Sequence, residues 1–218
     1  MSFTTNIKNE IININYHESE LIAELSAIVN ISAEIKRDIF HIYIENIGVS
    51  RRIYKILKDL FQARITLEKE KVNRLNKNYL IHITVKDENK KILKSLGIIS
   101  EEGKRLHFPR NYICDSLEEK KSYLRGAFLI CGSVNDPSTS RYHLEFIIEN
   151  KKTAEYICNL LNELNYNSKV LKREKNYMVY IKESERISDF IKLLNAYNAL
   201  FYYEDIRIYR DHKNMVNR

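Results

Sequence analysis

Apolar residues recur along this chain at two periods, and the periods alternate. Phe3 to Ile14 reads as a short amphipathic helix. His17 to Ile31 places Leu21, Ile22, Leu25, Ile28 and Val29 at helical spacing. Phe40, Ile42 and Ile44 then alternate with His41 and Tyr43, the period-two mark of a half-buried strand. Ser50 is placed to cap a helix reaching Phe61, with Ile53, Ile56, Leu57 and Leu60 inward. Ile65 and Leu67 alternate with Arg64, Thr66 and Glu68. Tyr79, Ile81 and Ile83 alternate with Leu80, His82 and Thr84, which predicts a hairpin. A helix over Glu88 to Leu96 closes at Gly97.

The same order then returns. Glu118 to Cys131 is helical, Leu144, Phe146 and Ile148 face inward from a strand, and Lys151 to Leu164 is a helix. Lys169 to Arg173 and Tyr177 to Ile181 make a second hairpin, and Ser184 to Ala196 a last helix. Exact marks are shared: Ile44-Glu45-Asn46 with Ile148-Glu149-Asn150, and Lys77-Asn78-Tyr79 with Lys175-Asn176-Tyr177. Each pair lies roughly 100 residues apart, so the chain is a duplicated unit rather than a short solenoid repeat. A short strand before each main strand, such as Ser133-Val134-Asn135, completes an αββαββα order. The expected architecture is α+β: two pseudo-symmetric units whose antiparallel sheets, each covered by helices on one face, form a saddle. The units are residues 17–97 and 118–200, preceded by an N-terminal helix over 1–16. A connector, 98–117, joins them, and a basic tail, 201–218, follows. A pseudo-two-fold object of this kind suits a two-fold target, of which duplex DNA is the commonest.

Composition narrows the picture modestly. In 218 residues, 36 Lys and Arg face 29 Asp and Glu, a net charge of +7, which favours a polyanionic partner. The five Gly and two Pro argue against flexible linkers. Cys114, Cys131 and Cys158 form no CxxC pair and have no His cluster beside them, so neither a zinc site nor any cofactor is expected. Unpaired thiols in odd number suit a reducing cytosol. The first residues mix Asn, Lys and Glu with apolar positions and form neither a signal peptide nor a membrane span.

The open sheet faces are the candidate interface. His41, Tyr43, Arg64, Thr66, His82, Arg141, His143, Lys172, Tyr180 and Lys182 are placed there, where cations and aromatic rings can meet phosphates and sugars. An ordinary solvated face is the competing reading, since Glu45, Glu68 and Glu145 share it. Cys131 has no general base near it in sequence and reads as an inert packing thiol, as Ser32 reads as a packing hydroxyl. No GxGxxG, P-loop or GxSxG motif occurs.

Leu124-Arg125-Gly126-Ala127-Phe128-Leu129-Ile130-Cys131-Gly132 resembles the LAGLIDADG signature helix of homing endonucleases, and Leu25-Ser26-Ala27-Ile28-Val29-Asn30-Ile31-Ser32-Ala33 is its counterpart. The resemblance implies two helices packed backbone to backbone, with Ala27 and Gly126 at the small third position and Ala33 and Gly132 at the ninth. An ordinary buried amphipathic helix is the competing reading. The family carries an acid at the eighth position of each helix to hold divalent metal. Here those positions are Ser32 and Cys131, and the sixth positions are Asn30 and Leu129. Glu34 and Asp136 lie nearby, but in-line cleavage depends on position as well as charge. The expectation is that nuclease activity is lost.

From end to end the chain resembles more closely the WhiA family of bacterial regulators linked to sporulation and cell division. Ser2-Phe3-Thr4-Thr5, Leu124 to Leu129, Gly132-Ser133-Val134-Asn135-Asp136-Pro137 and Tyr142-His143-Leu144-Glu145 carry the likeness. Ile187-Ser188-Asp189-Phe190, Asn195 to Leu200 and Asn214 to Arg218 add to it. The first half matches more loosely and departs at Ala33, where Gly is expected. The resemblance implies a degenerate LAGLIDADG domain followed by a helix-turn-helix domain. The stretch after residue 200 is too short for the latter. Arg207, Arg210, Lys213 and Arg218, against Asp211, then read as a basic linker that also touches DNA, or as a solvated tail.

The expected partner is double-stranded DNA, bound weakly or non-specifically, with other regulatory proteins beside it. The expected state is a monomer associated with the cytoplasmic nucleoid. An active homing endonuclease and a protein-interaction scaffold without DNA affinity are the alternatives.

Overall fold

A computed structural model describes residues 2–36, 39–74, 77–86, 89–139 and 141–216. Glu88 and Arg218 lie outside the described residues. The chain forms two compact units, Asn15–Ile130 and Met1–Ile14 with Cys131–Arg218. The sequence division at the connector differs, because the helix over Leu117–Cys131 packs with the first half.

In the unit Asn15–Ile130 the order is α2 (Glu18–Ser32), β1 (Ala33–Lys36), β2 (Ile39–Ile44), α3 (Ile47–Phe61), β3 (Arg64–Arg74), β4 (Lys77–Lys86), α4 (Asn89–Ser95) and α5 (Leu117–Cys131). The other unit holds α1 (Phe3–Ile11), β5 (Gly132–Val134), β6 (Leu144–Ile148), α6 (Lys151–Glu163), β7 (Lys169–Lys172), β8 (Tyr177–Ile181), α7 (Ser184–Leu193) and α8 (Tyr197–Val216). Among the described residues each unit has one four-stranded antiparallel sheet, ordered β1-β2-β4-β3 and β5-β6-β8-β7. The repeated αββαββα frame is therefore real at the level of topology.

The repeated sequence marks have a physical reading. Asn46 and Asn150 are N-caps: Asn46 Oδ1 accepts from Val49 N at 3.1 Å, and Asn150 Oδ1 accepts from Thr153 N at 3.2 Å. The cap of α3 is thus Asn46 and not Ser50. Ser50 lies inside the helix, buried, and its Oγ donates to Ile47 O at 2.8 Å. A side-chain oxygen four residues further on cannot reach the open N–H groups of the first turn.

Cores sit beneath one face of each sheet. Phe40, Ile42, Ile83 and Val85 are buried with Leu25 and Ile53 in one unit; Leu144, Phe146, Val179 and Ile181 are buried with Ile157 and Phe190 in the other. Gly97 adopts φ +64° after α4, and an added Cβ would lie 3.0 Å from Ile113 Cγ1 and 3.1 Å from Arg110 N, so both conformation and space favour glycine there.

One expectation about the chain's ends changes. The basic tail is a 20-residue helix, α8. Its first turn is capped from α1: Glu10 Oε2 accepts from Asn198 N and Glu10 Oε1 from Ala199 N, both at 2.9 Å. A carboxylate on two open N–H groups is the arrangement that the helix dipole favours. Thr4, from the opening motif, both donates to Val134 O at 3.0 Å and accepts from Val134 N at 2.9 Å, so a hydroxyl serves as the missing neighbour of edge strand β5.

Candidate nucleic-acid interface and helix seam

The seam between α2 and α5 is a backbone contact. A Cβ built on Gly126 would stand 2.2 Å from Glu24 O and 3.0 Å from Ala27 Cβ. No side chain fits, so the small third position is a steric requirement. Ala27 is its fully buried counterpart.

Beside this contact lies a polar cluster that sequence reading missed. The Glu24 carboxylate is fully buried. It accepts from Arg52 Nη2 at 2.9 Å and from Arg125 Nε at 2.7 Å, while Arg125 Nη2 donates to Ser122 Oγ at 2.8 Å. The Tyr16 ring lies 3.4 Å beneath the Arg125 guanidinium carbon. One carboxylate serves both guanidiniums, and the Tyr16 face lies against the Arg125 cation. Glu24 and Arg125 sit at apolar-helix positions, and only their pairing across the seam makes them legible. Further along α2, Asn30 Nδ2 donates to His107 O at 3.2 Å and to Tyr123 Oη at 3.3 Å.

The eighth motif positions hold no carboxylate. Ser32 Oγ donates to Ile28 O at 2.6 Å, inside its own helix. The half-buried Cys131 thiol is pushed up to about 12 by burial, so it stays protonated near neutrality. At the ninth positions, Ala33 opens β1 and its carbonyl accepts from Arg105 Nη1 at 3.2 Å, while Gly132 opens β5 opposite Phe146. The neighbouring acids are committed elsewhere. Glu34 lies on the sheet face 3.9 Å from Lys36 Nζ. Asp136 holds a turn: burial tends to raise its carboxyl, but bonds from Ser138 and Tyr202 keep it below the usual range.

Strand register decides the open faces. Tyr43 pairs with His82 and His82 with Glu68; His41 pairs with Thr84 and Thr84 with Thr66; Arg64 pairs with Lys86. His41, Tyr43, Arg64, Thr66 and His82 therefore share one face of their sheet. His41 Nδ1 lies 2.9 Å from His82 Nε2, and the Tyr43 ring stacks on His82 at 4.5 Å. Burial, then the neighbouring His82, holds the His41 imidazole below its ordinary range. In the other sheet, Glu145 pairs with Tyr180, and Tyr180 with Lys169. His143 Nε2 meets Glu145 Oε2 at 3.1 Å, its ring stacks on Tyr180 at 5.9 Å, and Lys182 Nζ lies 5.0 Å from the Tyr180 centroid.

Three candidates are placed differently from expectation. Lys172 pairs with Tyr177, which pairs with the buried Ile148, so it lies on the opposite face of its sheet from Tyr180. Its parity, not its charge, decides this. Arg207 Nη2 and Nε donate to Glu204 at 2.8 and 3.0 Å, and Nη1 reaches Glu185 at 3.5 Å. Arg210 Nη1 donates to Pro137 O at 2.8 Å and Thr139 O at 2.6 Å and its guanidinium lies over the Tyr142 ring at 4.5 Å. Both arginines fasten α8 to its own unit. Arg141 stands in the exposed loop before β6, and Lys213 is exposed near the end of α8.

Comparison with known proteins divides the chain between residues 99 and 120. The WhiA N-terminal LAGLIDADG-like domain matches residues 18–99, and the WhiA LAGLIDADG-like domain matches residues 120–213. A protein named probable cell division protein WhiA, from Staphylococcus aureus (strain USA300), is 39% identical over 222 residues, covering 100% of this chain and 70% of that protein. The crystal structure described as full-length DUF199/WhiA from "Thermatoga maritima" superposes with a TM-score of 0.78 at 22% identity, covering 100% of this chain and 71% of the other. The homing endonuclease I-WcaI bound to its DNA recognition sequence gives 0.58 at 14% identity, covering 85% and 86%. The fold is thus α+β and of the LAGLIDADG homing-endonuclease type. Among the described residues no helix is long and apolar enough to cross a membrane.

Proposed function

The chain belongs to the WhiA family, and on that footing we propose that it is the catalytically silent, DNA-associated scaffold domain of a bacterial regulator of sporulation and cell division. The single observation that carries the reading is the pair of eighth motif positions, where a self-bonded hydroxyl, Ser32, and a protonated thiol, Cys131, replace hard anionic ligands. Neither group is suited to hold magnesium, and without an ordered divalent ion the attacking water has no activation and the leaving oxygen no stabilisation.

DNA contact is supported by three things. The chain carries +7. Its fold is shared with proteins described in complex with DNA, such as I-DmoI with DNA and Mn, at a TM-score of 0.53. Its open sheet faces combine rings and cations: His41, Tyr43 and Arg64 on one, His143, Tyr180 and Lys182 on the other. Such contacts follow backbone charge and give weak, sequence-tolerant binding; sequence choice belongs to the helix-turn-helix region that the family resemblance implies. The chain acts as a monomer at the cytoplasmic nucleoid.

A protein-docking scaffold without DNA affinity is the second reading. It is favoured by the carboxylates Glu68, Glu70 and Glu145 on the same faces and by the engaged state of Arg207 and Arg210. A fluorescence titration with a labelled duplex at low and moderate salt separates the two. The DNA reading predicts weak binding whose affinity falls steeply with salt, and sequence-selective binding only in a family member that carries the helix-turn-helix region. Absence of binding at low salt, or affinity indifferent to salt, would favour docking.

A further inference from the structure

We propose that the open face of the first sheet carries a binding site for one divalent transition-metal ion of the zinc class, formed by Glu68, Glu70 and His82. The site is independent of the seam and of the DNA reading. Glu68 and Glu70 lie two residues apart on β3, so strand alternation sends both carboxylates to the same side, and His82 pairs directly with Glu68. One ligand atom from each of the three lies within 4.8 Å of the other two. Three donors about 2.0–2.2 Å from one ion fall inside that span.

The histidine supplies the second observation. His82 Nδ1 is sealed from solvent and closes no hydrogen bond. Yet Glu70 Oε1 stands 2.8 Å from it and Glu68 Oε2 4.0 Å. The near carboxylate is within ion-pair distance, yet the buried nitrogen has no hydrogen-bond partner. Such an atom calls for a partner. A cation between the imidazole and the two carboxylates meets it and also relieves the repulsion between the acids.

The surroundings match what a metal-bound imidazole needs. With Nδ1 on the ion, Nε2 carries the proton and donates to His41 Nδ1, 2.9 Å away, with Thr84 Oγ1 at 3.1 Å. That outer hydrogen bond fixes the tautomer and the ring plane. Tyr43, stacked on the ring at 4.5 Å, holds it in place. Imidazole with two carboxylates suits zinc or cobalt better than magnesium, which prefers an oxygen shell with several waters. Protein supplies three ligands, and solvent completes the set on the exposed side of Glu68.

Calorimetric titration of the intact protein with Zn²⁺, with Mg²⁺ as the control, tests the site, and Co²⁺ absorption reports its geometry. Expected are saturable binding of one Zn²⁺ per chain, none of comparable strength for Mg²⁺, and a shift of the His82 imidazole resonances. Glu70→Gln, at an exposed position, is expected to weaken binding at least ten-fold without change in the circular dichroism. His82→Gln is expected to abolish it, and His41→Phe to weaken it roughly ten-fold through the lost outer bond. Saturable binding that survives both Glu70→Gln and His82→Gln unchanged, or no saturable binding by the unmodified protein, would overturn the assignment.

Discussion

In the sheet of β1 to β4 the outer hairpin runs for 11 and 10 residues; in the sheet of β5 to β8 its counterpart has 4 and 5. Strand order and the capping Asn are the same in both. The outer faces are not. One carries His41, His82, Glu68 and Glu70 around an unmet nitrogen. The other carries a closed set in which Glu145 is shared by His143 at 3.1 Å and Arg173 at 3.5 Å, both nitrogens within ion-pair distance. Duplication has kept what sets backbone direction, caps and register, and has let the outward side chains diverge, because those do not bear on folding. The seam helices diverge in a different way. Ala27 faces Gly126, but the buried acid comes from α2 alone and a buried base from α5, so the contact is complementary rather than repeated.

The largest effect should come from that complementarity. Glu24→Gln removes the carboxylate that Arg52 and Arg125 share and should cost about 3–5 kcal/mol by urea denaturation. A cost under about 1 kcal/mol would mean that the cluster is not the lock of the seam. Gly126→Ala forces a methyl group onto Glu24 O and should cost about 3 kcal/mol, more than typical overpacking because the obstacle is backbone. The mirror substitution Ala27→Gly should cost only about 1 kcal/mol, through helix propensity. Equal costs at the two positions would show the seam to be symmetric after all.

The caps probe what the halves share. Asn46→Ala and Asn150→Ala should each cost about 1 kcal/mol, and alike, while Ser50→Ala should be near neutral. Smaller still is a pH effect at His41. The His41 pKa in the folded state lies below the ordinary 6.5, so the unfolded chain takes up that proton first on acidification. Stability from this group is present above about pH 6.5 and is lost as pH falls towards the folded value. The acid-side slope should diminish in His41→Asn.

Much of the frame was legible because it is periodic. Alternation at Phe40-Ile42-Ile44 and Leu144-Phe146-Ile148, and helical spacing in α3 and α6, reflect burial on one side, which sequence records directly. Four features were not legible. Lys172 lies on edge strand β7, where all four residues are exposed, so alternation carries no sign of which face is which. The α8 helix was hidden by its charge, though Ala199, Tyr203 and Arg207 recur at helical spacing on the packed side. The Glu24 cluster and the His82 site depend on cross-strand register and helix pairing between residues far apart in sequence. His41 and His82 look scattered until β2 is known to pair with β4.

The most direct test of the central claim is cleavage. The protein would be incubated with a supercoiled plasmid library of genomic fragments in Mg²⁺ or Mn²⁺, and the resulting ends sequenced. With Ser32 and Cys131 in place of metal-holding acids, no recurrent double-strand break is expected in either metal. A reproducible cut at one sequence, dependent on the divalent ion and present at catalytic protein concentrations, would contradict the account.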